Sequence, residues 1–116
     1  MTLLVPIKTS DLGDGENRYA DPRILLKGNP LMTSWRQDEI KDKVRTGVWR
    51  SEPGKNISRK ENRYEFCLIL DGKVLISEDG GQTHSFAAGD AFVMKPGFTG
   101  TWETIETVTK LFVIIE

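Results

Sequence analysis

Histidine and cysteine are almost missing from this chain, with one of each in 116 residues. A lone cysteine, Cys67, closes no intramolecular disulfide. A lone histidine, His84, leaves no Ser-His or Cys-His pair with which to activate a nucleophile. It follows a Gly-Gly turn beside Ser85 and Phe86 and reads as a solvent-facing strand residue. An excess of charge of either sign is also missing: 16 Lys and Arg stand against 17 Asp and Glu. Without a basic footprint for phosphate backbones, nucleic acid is not an expected partner. No apolar run approaches the roughly 20 residues that cross a bilayer, so no membrane association is expected. The N-terminus has no secretory pattern, and a reducing, cytoplasmic location is the expectation. Asp79-Gly80-Gly81 is the one glycine-rich stretch that invites comparison with a phosphate loop, but no helix pattern follows it.

What is present is sheet. From Tyr64 onward, short apolar runs alternate with turn dipeptides at Asp71-Gly72, Asp79-Gly80-Gly81, Ala88-Gly89-Asp90 and Pro96-Gly97, the even spacing of an all-β sandwich or barrel. Strands are predicted at Tyr64 to Leu70, Lys73 to Ser77, Thr83 to Phe86, Ala91 to Met94, Thr99 to Thr104 and Lys110 to Ile115. Asp-Gly between apolar runs predicts a hairpin at 71–72 and another at 79–81. The last strand is apolar almost throughout, which predicts that it is buried on both faces or sits centrally in the sheet. Earlier strands are predicted at Arg23 to Leu26, Leu31 to Arg36 and Val44 to Ser51, with Gln37 to Lys43 read as a helical turn or a solvated loop. A chain of this length fits one domain over 1–116, with 1–43 as N-terminal strands or an arm and 44–116 as the barrel. Such an arm covers a sheet edge or crosses to a partner subunit, and a homodimer is expected.

Two stretches carry a family pattern. Pro53-Gly54, a polar segment to Asn62, then Glu65 followed by six residues and Gly72, resembles the first cupin motif. The stretch from Gly89 to Trp102, with Pro96-Gly97 at its centre, resembles the second. With Gly47-Val48-Trp49 and Trp102-Glu103, the sequence is similar to the cupin branch that includes ureidoglycine aminohydrolases and ethanolamine-utilisation cupins, over about the C-terminal two thirds. The resemblance implies a double-stranded β-helix, the jelly-roll barrel of cupins. It also implies a metal held by an H-x-H, a glutamate and a third histidine, and here the chain departs. The H-x-H region reads Arg59-Lys60-Glu61-Asn62, the third-histidine position is Gly100, and Lys95 stands where the family has proline. Only Glu65 remains, and one carboxylate is a poor site for a first-row metal. No cofactor is expected; a divalent ion bound by Glu61, Asn62, Glu65 and Cys67 is the alternative.

If the cupin register holds, Glu65 faces the interior, as an acid or base of raised pKa or an anchor for a ligand amine, or else as an ion-pair partner of Lys60, Arg59 or Arg63. Period-two alternation puts Cys67 on the same face, more as a packed small hydrophobe than as a nucleophile. Trp49 and Trp102 read either as plain core or as two walls of an aromatic slot for a small molecule. Lys60, Asn62 and Lys95 fall near the barrel mouth, placed to orient a carboxylate or carbonyl. The pocket expected from sequence therefore comprises Trp49, Lys60, Asn62, Glu65, Cys67, Lys95 and Trp102, with Glu65 the catalytic candidate should the protein be an enzyme. Small-molecule binding leads; a side-chain-filled structural module and an atypical metalloenzyme are the alternatives.

Overall fold

The computed structural model describes residues 2–116. Among these residues nine strands form one antiparallel sheet folded on itself: β1 (Glu16–Tyr19), β2 (Leu25–Lys27), β3 (Leu31–Ile40), β4 (Val44–Ser51), β5 (Gly54–Arg59), β6 (Tyr64–Glu78), β7 (Thr83–Ala87), β8 (Ala91–Met94) and β9 (Thr99–Ile115). Among the described residues no helix is long and apolar enough to cross a membrane.

The long strands β6 and β9 organise the fold. They pair from Tyr64↔Ile115 to Glu78↔Gly100, and each serves two layers. In the first layer, the start of β6 and the end of β9 lie between β8 on one side and β4, β3 and β1 on the other. In the second, the end of β6 and the start of β9 lie between β7 and the pair β5 and β2. The end of β9 is thus central, flanked by β4 and β6, while its burial alternates, so of the two expectations it is the central position that the fold realises.

The crossing between layers corrects the predicted hairpin at Asp71-Gly72. Residues 64 to 78 are one strand, and its register against β9 shifts between Ile69 and Val74. Gly72 has φ +89°, and a Cβ there would lie 2.1 Å from the Thr107 carbonyl oxygen. A residue without a side chain lets the two backbones pass, so the dipeptide marks a bulged bend rather than a turn. The same bend joins the predicted strands at 99–104 and 110–115 into β9. Gln37 to Ile40 continue β3, and only residues 41–43 turn, with Lys41 and Asp42 at positive φ. At 79–81 the hairpin forms as expected.

One end of the barrel is solid. Cys67, Ile69, Val74, Ile76, Met94, Trp102 and Val108 form its core, with Phe86, Phe92 and Phe98 packed against them. Phe86 and Phe92 stack at 4.2 Å across the two layers. At the other end the N-terminal segment follows the sheet: β1 pairs β3, and Lys8 exchanges two hydrogen bonds of 2.7 Å with the Gln37 side chain. It covers a sheet edge within its own chain.

Candidate functional site

Between the solid end and the open end lies a buried ionic cluster. Glu65 follows the 60–63 turn, where Lys60 N donates to the Phe98 carbonyl and Gly97 N donates to that of Glu61. Glu61 adopts φ +53° in this turn, a conformation uncommon for a non-glycine residue. The pinned turn sends the Lys60 side chain inward, where Nζ donates to Glu65 Oε1 at 2.6 Å. From β9, Lys110 Nζ donates to Glu65 Oε2, also at 2.6 Å. Cys67 Sγ donates to the same Oε2 at 3.4 Å. Glu65 is 3% exposed, Lys110 7% and Cys67 0%.

Trp49 and Lys110 are direct cross-strand neighbours on β4 and β9. The Lys110 ammonium lies 4.5 Å from the ring centres of both Trp49 and Trp102, which meet edge to face at 5.4 Å. The expected aromatic slot is therefore not free for a flat ligand, because Lys110 occupies it and gains cation–π stabilisation there. Trp102 Nε1 is satisfied by Thr104 Oγ1 at 3.0 Å.

The charge state differs from the raised pKa considered for Glu65. Burial pushes the carboxyl up, but the two ammonium groups and their hydrogen bonds outweigh it and hold the pKa at about 2, so Glu65 is ionised at neutral pH. Burial lowers the pKa of Lys60, only partly countered by Glu65. For Lys110 burial also works downward, but Cys67 and Glu65 overcome it and the pKa is raised. Burial pushes the Cys67 thiol up to about 12. Native protein should therefore leave Ellman's reagent unreacted, with one thiol titrating once denaturant is added. A fast native reaction would show that Cys67 is accessible and ionised.

A pH dependence follows. The folded-state pKa of Glu65, about 2 against an ordinary 4.5, means that folding favours the carboxylate, which contributes about 3 kcal/mol. That contribution is complete above about pH 5 and disappears as pH falls through 4.5 toward 2. Urea unfolding midpoints should fall over this window more steeply in the native sequence than in the apolar triple variant Lys60→Met, Glu65→Leu and Lys110→Met.

Beyond the cluster the barrel opens into a cavity of about 590 Å³. Trp49, Lys60, Glu65, Trp102 and Lys110 lie along its wall, joined by Met32 and Ser34 of β3, Asn56 and Ser58 of β5, and Phe112 and Ile114 of β9. Four of the residues expected from sequence thus come together there: Trp49, Lys60, Glu65 and Trp102. Cys67 lies behind Glu65 in the packed core, because the strand carries its side chain toward the solid end. Asn62 and Lys95 are exposed and lie off the cavity wall, since both belong to turns outside the barrel. His84 is exposed on β7, stacked on Phe86 at 5.9 Å.

The donor set does not fit a divalent ion. Both Glu65 oxygens are taken by ammonium groups, which place positive charge where a cation would need to sit. Among the described residues no three His, Cys, Asp or Glu side chains are grouped to hold a metal. Gly100, at the third-histidine position, has no room for a side chain: a Cβ there would lie 1.9 Å from the Ser77 carbonyl oxygen.

A bent antiparallel jelly roll with its cluster on the inner face of the barrel is the architecture of cupins. The chain belongs to the EutQ-like cupin domain family, whose model matches residues 39–112. A DUF861-family protein of unknown function from Pseudomonas syringae superposes with a TM-score of 0.82 at 24% identity, over 93% of this chain and 46% of that one. The Clostridium difficile EutQ protein gives 0.65 at 14%, over 74% and 63%. A putative ethanolamine utilization protein Q from Salmonella typhimurium gives 0.62 at 14%, over 89% and 98%. This chain thus spans about half the length of the Pseudomonas protein. A comparison with functionally curated proteins returned no match.

Proposed function

We propose that this cupin domain binds a small molecule in the open half of its barrel, without a metal, with Lys60, Glu65 and Lys110 at the base of the cavity. The observation that carries this reading is that the cavity, about 590 Å³, has the size of a small-molecule site and ends on a charged cluster. Buried charge is expensive; here it lies along the wall of a space able to admit a polar ligand. Glu65 acts as the anchor that holds two ammonium groups in place rather than as an acid, since it has no proton to give at neutral pH. The thiol of Cys67 takes no part. The solid end accounts for the alternative of a structural module, but it accounts for only half of the barrel. The open edges at β1 and β2 support the expectation of a homodimer.

A thermal-shift screen tests the reading, comparing the native sequence with Asn56→Phe. Asn56 pairs with Trp102 across β5 and β9 and borders the cavity, so a phenyl ring there takes up part of the space beside Trp102. A ligand at a hundred times its Kd adds about 2.7 kcal/mol, which raises Tm by roughly 10 °C or more in a domain of this size. The rise should be smaller in Asn56→Phe. A broad library with no hit on the native protein would remove the proposal.

A further inference from the structure

The chain as a whole is nearly neutral, but the cavity wall is not. Two lysines and one glutamate make up the buried cluster, one basic group more than acidic. The cation–π contacts spread the charge of Lys110 but do not cancel it. Five arginines also border the cavity: Arg18, Arg36, Arg45, Arg59 and Arg63. They come from β1, β3, β4, β5 and the 60–63 turn, so the fold gathers them from separate stretches of sequence. Among the described residues the acidic groups on the same wall are Glu61 and Glu65, and Glu65 is already shared by two lysine side chains.

Some of this positive charge is satisfied locally. Arg36 pairs with Glu39 at 3.0 Å and Arg45 with Glu116 at 2.7 Å. Arg63 donates to the carbonyl oxygens of Lys60 and Arg59. Arg18 and Arg59, like Arg63, have no ion-pair partner among the described residues, and they are the two of the three not held by those carbonyl oxygens. The cavity therefore runs from two unpaired guanidinium groups at its exposed part to a buried cluster with one basic group in excess. Guanidinium forks match the oxygen pairs of carboxylates and phosphates, and converging charge of one sign raises the local concentration of the opposite ion.

We infer that the ligand of this cavity is a small anion carrying at least two negative charges on carboxylate or phosphate oxygens, received by Arg18 and Arg59 and balanced at depth by the excess basic group of the Lys60, Glu65 and Lys110 cluster. The inference rests on the small-molecule reading and adds the class of ligand to it.

Titration calorimetry at low ionic strength tests it, with inorganic phosphate and succinate as probes and uncharged succinamide as the comparison. Both Arg18 and Arg59 are exposed, so Arg18→Gln combined with Arg59→Gln should keep its Tm in the absence of ligand. Phosphate, succinate or both should bind the native protein, and the double variant should lose at least tenfold in affinity. Arg50→Gln with Lys73→Gln removes the same charge away from the cavity and should leave affinity unchanged. Which probe binds more tightly separates a phosphate ligand from a carboxylate one. Equal binding of succinamide and succinate, or an affinity equally reduced by both pairs of substitutions, would overturn the anion inference. So would uncharged library compounds that bind in an Asn56→Phe-sensitive manner while both anions fail, an outcome that leaves the small-molecule reading in place. Failure of anions and library compounds alike would remove both.

Discussion

Replacing Glu65 with glutamine is expected to cost about 3–5 kcal/mol of folding stability, the penalty for stranding buried charge without its counter-charge. The side chain keeps its shape, but the carboxylate that accepts from Lys60 and Lys110 at 2.6 Å each disappears. Two ammonium groups then face each other in the barrel, and the glutamine NH₂ offers them a donor where an acceptor is needed. In a domain of about 100 residues, each kcal/mol moves Tm by roughly 4–8 °C, so the variant should melt at least some 12 °C lower or fail to fold. Replacing all three members with apolar residues, as in Lys60→Met, Glu65→Leu and Lys110→Met together, should recover most of the loss, because a well-packed apolar substitute for a buried ion cluster is often neutral or better. The triple variant should nonetheless lose ligand binding. Chemical denaturation of the single and triple variants, side by side, separates the structural cost of the cluster from its use. A Glu65→Gln protein of native stability would mean that the carboxylate is not charged or not enclosed as described.

The second large effect concerns the metal that the family pattern suggests. Gly100→His restores imidazole at the position where metal-binding cupins carry their third histidine, and it is expected to unfold the barrel rather than to recruit an ion. The obstacle is backbone: a Cβ would stand 1.9 Å from the Ser77 oxygen and 3.0 Å from the Glu78 Cα, so β6 and β9 must separate before any side chain fits. A loss of roughly 3 kcal/mol or more is expected from overpacking of this kind. Gly100→Ala should show most of that loss, since the clash begins at the first carbon. Denaturant midpoints of both variants, with and without added zinc, check this. Midpoints equal to the native value, or a zinc-dependent rise for Gly100→His, would show that the glycine is not there for close packing.

The parts of the fold that could be read from sequence are those with a water side and an oil side. β7 and β8 follow turn residues and alternation, and the end of β9 declares its central position by apolar content. β5 was not legible because its inward residues, Asn56 and Ser58, face a cavity rather than a core, so its alternation is polar on polar. β1 is an exposed edge strand, and the sequence Glu-Asn-Arg-Tyr carries no burial signal. Asp71-Gly72 reads as a turn because a glycine that permits positive φ looks the same whether the chain reverses or bends past a neighbour.

The site was legible by half. Glu65, Lys60 and the two tryptophans stand out as polar or bulky residues near the motifs. Lys110 reads from sequence as the first residue of an apolar strand, although a lone lysine on the same face as Phe112 and Ile114 signals a buried partner of opposite charge. A carboxylate interrupting one apolar strand and an ammonium interrupting another are each costly alone, and pairing them is the economical solution. The arginines of the cavity wall could not be found by composition, because equal numbers of acids elsewhere conceal them until the fold sorts the charges by face.

The central claim is that an ionised Glu65 held between two ammonium groups stands at the heart of this barrel. Its most direct test is a carbon-detected NMR titration of the Glu65 side-chain carboxyl. The carboxyl shift should stay flat from neutral pH down to about pH 3 and move only near 2, in keeping with the pKa of about 2. A titration step at or above the ordinary carboxylate value of 4.5 would contradict the account, because it would mean that the two lysines do not hold the charge in place.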